Sequence, residues 1–155
     1  MAVTARPRGF TLLELLVVVA IVALASAGVS LSLRDSRDTA LEREAVRLVA
    51  MLESARAQSR ASGVPLRWRS NSEGFAFSGI RSREGAVDSL ATPRHWLSEQ
   101  TQARVLLPAG ASELLLGPEP VIAAQQLQLS LDDRHVILGT DGLGPFAVLP
   151  DPTPP

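Results

Sequence analysis

The sequence contains no cysteine, no lysine and no tyrosine. Without cysteine there are no disulfides and no thiolate metal sites. Every basic residue is arginine, which reflects compositional bias before it reflects chemistry. Four Phe and two Trp are the whole aromatic content, so a core must be built mainly from Leu, Val, Ile and Ala. Between Pro7 and Pro65 there is no proline to interrupt a helix. The charge balance, 15 basic against 16 acidic residues, supplies no global field for nucleic acid. There is no G-x-S-x-G elbow and no glycine-rich phosphate loop ahead of a helix. At 155 residues the chain is long enough for one domain, with part of its length spent at the N-terminus.

What is present begins at that N-terminus. Arg6-Pro7-Arg8-Gly9 is a short basic leader, and Phe10 opens an apolar run. From Phe10 to Leu33, 24 residues, the only charge is Glu14. As a helix at about 1.5 Å per residue this run spans roughly 36 Å, enough for a hydrocarbon core of about 30 Å. The short arginine-bearing arm is the cytoplasmic end by the positive-inside rule, which places the remainder across the membrane. A carboxylate inside such a segment costs about 2.5–3.5 kcal/mol on insertion scales, so its presence points to use. A cleaved export signal with Ala25-Ser26-Ala27 as its cleavage site and a plain single-span anchor both leave Glu14 without a role.

Gly9-Phe10-Thr11-Leu12-Leu13-Glu14 resembles the processing signal of type IV pilins and pseudopilins. The resemblance implies that a membrane prepilin peptidase cuts after Gly9 and methylates the new amine of Phe10. It also implies that Glu14 pairs with the N-terminal amine of a neighbouring subunit during filament assembly. A cation supplied by that neighbour would offset a carboxylate in lipid, and the first turn of a helix favours negative charge. Loss of residues 1–9 leaves 13 arginines against 16 acids, a net charge of −3. Residues 34–66, with Leu41-Glu42-Arg43-Glu44-Ala45 and Gly63-Val64-Pro65-Leu66, are similar to the GspH/FimT group of minor pilin-like proteins, most of all to minor pseudopilin H of type II secretion. Asp141-Gly142-Leu143-Gly144-Pro145-Phe146 is similar to that group's C-terminal end. The late helix proline of many major pilins is missing, and Gly28 is the one intrinsic weak point of the apolar segment.

Beyond the apolar run, Leu41, Ala45, Leu48, Leu52, Ala55 and Ser59 recur at spacings of four and three, one face of an amphipathic helix. Glu42, Arg43, Glu44, Arg47, Glu53, Arg56 and Arg60 fall on other faces and read as a solvated side. Glu44–Arg47 and Glu53–Arg56 are i,i+3 pairs worth a few tenths of a kcal/mol each. The pattern predicts a helix continuing the membrane segment, with a break near Arg34–Thr39 and a stop at Ala61–Gly63, where Gly63 suits the cap and Pro65 cannot continue. Periodicity then changes to two. Leu66–Arg69 and Phe75–Phe77 flank a turn at Asn71–Gly74, which predicts a hairpin. Residues 79–94 read as a loop. Further strands are predicted near 94–98, 103–107, 126–131, 134–139 and 145–149, with a turn at Asp132-Asp133.

The fold class expected is therefore α+β, a long N-terminal helix packed on a small antiparallel β-sandwich-like domain. Its segments are a leader (1–9), a transmembrane and assembly helix (10–33), its amphipathic continuation (34–62), a periplasmic β domain (63–149) and a disordered tail (150–155). The resemblance implies a non-enzymatic subunit anchored in a bacterial inner membrane and assembled into a pseudopilus. It implies as partners the prepilin peptidase, the major pseudopilin and other minor pseudopilins. In that group the H subunit joins a tip complex to the shaft.

Other chemistry is sparse, and no cofactor is expected. His95 and His135 lack metal-ligand spacing and read as strand residues. Asp132-Asp133 and Asp141-Gly142 fit turns better than calcium loops. Arg67, Arg69, Arg81, Arg83, Arg94 and Arg104, with Trp68 and Trp96, have the composition of a DNA-binding face, a role some FimT-like minor pilins have. Of these, Arg67 and Arg69 are the candidate phosphate contacts. A solvated strand face matched by Glu73, Glu84, Asp88 and Glu99 is the better reading for a net-negative chain. The tryptophans then serve as core or interface anchors.

Overall fold

The computed structural model describes residues 12–80 and 90–150, and of 25–38 the backbone alone. The leader, Phe10, residues 81–89 and the tail beyond Pro150 lie outside the described residues. The chain divides into two compact units, Met1–Ser36 and Arg37–Pro155.

Helix α1 (Leu12–Ser62) starts in the first unit with Glu14 in its first turn. Its backbone stays helical through 34–39, where a break is expected. Arg34-Asp35-Ser36-Arg37-Asp38-Thr39 offers neither the missing N–H of proline nor the loose backbone of glycine that would interrupt it. In the second unit α1 presents its predicted stripe inward. Leu41, Ala45, Leu48, Leu52, Ala55 and Ser59 are all buried. The stop is a left-handed cap: Gly63 has φ +67° and donates its N–H to the Ser59 carbonyl at 2.9 Å. Ser59 Oγ donates to the Val64 carbonyl at 2.7 Å, tying the cap to the exit of the chain.

The strands are β1 (Leu66–Ser70), β2 (Gly74–Ser78), β3 (Arg94–His95), β4 (Thr101–Leu107), β5 (Glu113–Leu116), β6 (Gln125–Leu131), β7 (Arg134–Thr140) and β8 (Ala147–Leu149). They form two four-stranded antiparallel sheets, in the orders β3-β2-β1-β5 and β4-β6-β7-β8. The hairpin over Asn71–Gly74 stands as predicted, with Asn71 Oδ1 accepting from Glu73 N–H and Gly74 N–H. At the β6–β7 turn Asp132 takes φ +53°, a conformation Asp tolerates.

One core serves helix and sheets. Leu66 and Trp68 of β1, Phe75 and Phe77 of β2, Leu114 and Leu116 of β5, Leu127, Leu129 and Leu131 of β6, and Leu138 of β7 join the helix stripe in it. Each such Leu contributes about 1.5–3 kcal/mol by leaving water. Trp96, Phe75 and Phe77 stack in tilted and edge contacts. The two tryptophans are thus core residues.

Strand β5 is absent from the sequence-based expectation. Glu113-Leu114-Leu115-Leu116 shows no alternation in its letters, yet Leu114 and Leu116 face the core while Leu115 faces outward. Its backbone has a second partner besides β1. The Gln125 side-chain amide accepts from Leu115 N–H and donates to the Leu115 carbonyl, both at 2.8 Å. The strand predicted over 94–98 is shorter, because Trp96 turns into the core and donates its ring N–H to the Asn71 carbonyl at 3.2 Å. The last strand begins at Ala147 because the Phe146 N–H is taken by Glu53 Oε1 at 2.9 Å.

Candidate functional site

The described side chains of the N-terminal part of α1, residues 12–24, are exposed on every face. Leu12, Leu13, Leu15, Leu16, Ile21, Val22 and Leu24 are among them, and Glu14 sits in their midst. A helix apolar all round is a helix built to be covered by lipid or by other helices. Among the described residues no helix is long and apolar enough to cross a membrane. The described side chains reach only part of the predicted 10–33 segment. Gly9 and Phe10 lie outside the described residues.

Of the charged residues in the second half of α1, Glu42, Arg43 and Arg60 are exposed as expected and Arg47 and Glu53 half-buried, but two depart from the expected solvated side. Glu44 and Arg56 are 1% and 2% exposed. Glu44 Oε2 accepts the Leu97 N–H at 2.6 Å, and its Oε1 accepts from Arg47 at 3.0 Å. Arg47 also donates to the His95 carbonyl at 3.1 Å and lies over the Phe75 ring, 5.5 Å from its centre. Nine residues along the helix the pattern repeats. Glu53 takes the Phe146 N–H, and Arg56 donates to the carbonyls of Gly142 at 2.9 Å, Gly144 at 2.7 Å and Pro120 at 3.4 Å. Burial was legible in spacing: Glu44 stands three after Leu41 and four before Leu48, and Arg56 four after Leu52 and three before Ser59. The first Glu-x-x-Arg pair therefore grips the backbone of 95–97 and the second that of 142–146 and Pro120, and each lies on the margin of the apolar stripe.

The loop held by Arg56 is built from within as well. Thr140 Oγ1 donates to the Gly144 carbonyl at 2.7 Å and accepts from Gly142 N–H at 2.9 Å. Asp141 Oδ1 accepts from Leu143 N–H and Gly144 N–H at 2.9 and 2.8 Å. Those two amides, Gly144 first, hold the Asp141 carboxyl below its ordinary range. Asp141 thus does turn chemistry. Among the described residues no group of three His, Cys, Asp or Glu could hold a metal. His95 and His135 are exposed residues of β3 and β7.

Arg67 and Arg69 are exposed on the outer face of β1. The structure brings both to one carboxylate, Glu113 of β5, with Arg69 Nη2 at 2.7 Å from Oε2 and Arg67 on Oε1. Hydrogen bonds from Arg69, then Arg67, lower the Glu113 pKa. For Arg67 and Arg69 the matching acid is thus Glu113, outside the expected set of Glu73, Glu84, Asp88 and Glu99, in a cross-strand triad that the missed strand concealed. Arg81, Arg83, Glu84 and Asp88 lie outside the described residues. Trp68, buried between the two arginines in sequence, points to the core and offers no stacking surface for a base.

A family model described as the prokaryotic N-terminal methylation motif matches residues 4–30. Two crystal structures of the type IV minor pilin FimU from Pseudomonas aeruginosa strain PAO1, in different crystal forms, share the fold. Each superposes with a TM-score of 0.52 at 13% sequence identity. One match covers 71% of this chain and 93% of that one, the other 77% and 92%. No curated protein sequence matches the chain. The chain thus carries a prepilin-type methylation motif ahead of a type IV pilin-like α+β fold.

Proposed function

We propose that the chain is a non-enzymatic structural subunit of a pilus-like filament, a minor pseudopilin of the GspH/FimT group working in type II secretion as the H subunit does. In this reading prepilin peptidase removes residues 1–9 and methylates the Phe10 amine. The 10–33 helix holds the protomer in the inner membrane until assembly, with the β domain on the periplasmic side. The partners are the major pseudopilin along the shaft and other minor pseudopilins at the tip. The observation that carries the reading is Glu14, a carboxylate in the first turn of a helix whose neighbouring apolar side chains are exposed on all faces. In lipid or among helices that charge needs a cation, and a neighbour's N-terminal amine is one that also sets axial register.

The test is intact mass and first-residue sequencing of the membrane form. The expected product begins at Phe10 and carries one added methyl group; Gly9→Ala retains the leader. Glu14→Ala is processed normally but fails to assemble with other subunits. A native chain that starts at Met1 sinks the reading, as does a Glu14→Ala chain that assembles and supports secretion at wild-type levels.

A second reading is a minor pilin of a type IV pilus, favoured by the match to FimU, itself a type IV minor pilin. Deletion separates the two: loss of protein export supports the pseudopilin, loss of surface pili the pilin. DNA binding at Arg67 and Arg69 is disfavoured, since Glu113 already occupies both guanidinium groups.

A further inference from the structure

The last described stretch, Asp141–Leu149, is attached to the rest of the fold by polar groups more than by apolar burial. Phe146 is its one fully buried apolar side chain, while Leu143 is 73% exposed and Val148 49%. The internal bonds of Thr140 and Asp141 make the 140–144 turn rigid in itself. Besides Phe146 in the core, its attachments among the described residues include the short β7–β8 ladder, the Ile122 N–H bond to the Gly142 carbonyl at 3.2 Å, Glu53 on the Phe146 N–H, and the Arg56 guanidinium. Arg56 alone joins three carbonyls of two different loops.

What this stretch covers is specific. β8 is the outer strand beside β7, and a methyl group placed on Gly139 would lie 2.9 Å from the Leu149 side chain, so Leu149 rests directly on β7. β7 carries Val136-Ile137-Leu138, an aliphatic run of high strand propensity. An uncovered edge of that kind is a template for pairing. Elements with little apolar burial open at lower free energy than the global transition and do so as contiguous units.

We propose that residues 141–149 form a latched strap, which opens as one piece, β8 included, while strands β1 to β7 stay folded. Arg56 is its latch, and the β7 edge is what it closes to strand addition. Arg56 is a positioning residue here, acting through the carbonyls it gathers. The inference goes beyond the filament reading and does not depend on it.

The test is native-state hydrogen exchange on the full-length chain in detergent micelles, at low denaturant. The amides of 141–149 and those of β7 that face β8 are expected to exchange together, about tenfold or more faster than the core amides of β6. Arg56→Lys keeps the charge but loses the planar fork that reaches several carbonyls, and is expected to speed that opening by about tenfold again while leaving β6 unchanged. The proposal is overturned if strap and β6 amides exchange in one event in the wild type, or if Arg56→Lys lowers protection evenly across both sheets. Should the variant not fold, the wild-type measurement decides alone.

Discussion

At the scale of single residues, the most consequential side chains are two charges that local chemistry alone would place in water. Glu44 meets a backbone N–H 53 residues away, and Arg56 meets carbonyls 86 and 88 residues away. Arg56→Met removes the donors and leaves the Gly142 and Gly144 carbonyls with one partner each, from Ile122 N–H and Thr140 Oγ1, a loss of about 1–3 kcal/mol in chemical denaturation. Arg43→Ala, at an exposed position on the same helix, should stay within about 0.5 kcal/mol of wild type. Equal losses for the two variants would mean that the buried guanidinium has no special standing. The apolar stripe from Leu41 to Ser59 was legible because burial follows the 3.6-residue period. The burial of Glu44 and Arg56 follows that same spacing, but their partners were not legible, because those are backbone groups of loops whose positions only the tertiary fold decides. Glu14 is the opposite case: the role proposed for it rests on the leader and the apolar run around it in sequence.

At the scale of elements, legibility tracks how cleanly two faces differ. β6 alternates buried and half-buried residues from Gln125 to Leu131, and its letters alternate too. β5 does the same in space, but three consecutive leucines erase the contrast in sequence. Two glycines show how turns carry unequal loads. Gly63 needs only its positive φ, with open space where a Cβ would go, so Gly63→Ala should cost about 1–2 kcal/mol. Gly142 has φ +94° and a Cβ there would lie 1.9 Å from the Ile122 carbonyl oxygen, a backbone atom that cannot swing aside. Gly142→Ala should therefore lower the melting temperature well beyond Gly63→Ala. A smaller shift for Gly142→Ala would show that the 140–144 turn yields easily.

At the scale of the whole molecule, acid response gathers contributions from both sheets. Glu113, held down by Arg69 and Arg67, and Asp141, held down by the Gly144 and Leu143 amides, both have folded pKa values below their ordinary ones. Such groups stabilise the fold fully above the ordinary carboxylate range of about 4, and the stabilisation is lost as pH falls through the lowered folded values. A melting series from neutral to acid pH should hold level and then drop below that range. Glu113→Gln and Asp141→Asn should each make the drop shallower; an unchanged acid limb in both variants would place its origin elsewhere. The general plan, one helix ahead of an antiparallel β domain, was legible because helical and strand periods change sharply at Pro65. The pairing of strands into two sheets was not, since a register reports neighbours and a lone sequence has none.

Gln125 carries a last consequence. By presenting one acceptor and one donor to Leu115, its amide impersonates a residue of a strand that does not exist. Any newcomer docking alongside β5 must first evict it, so recruitment at that rim starts with a toll of two bonds. The impersonation is amide-specific: a carboxylate in its place has no hydrogen to give the Leu115 carbonyl, and asparagine is one methylene too short for the same reach.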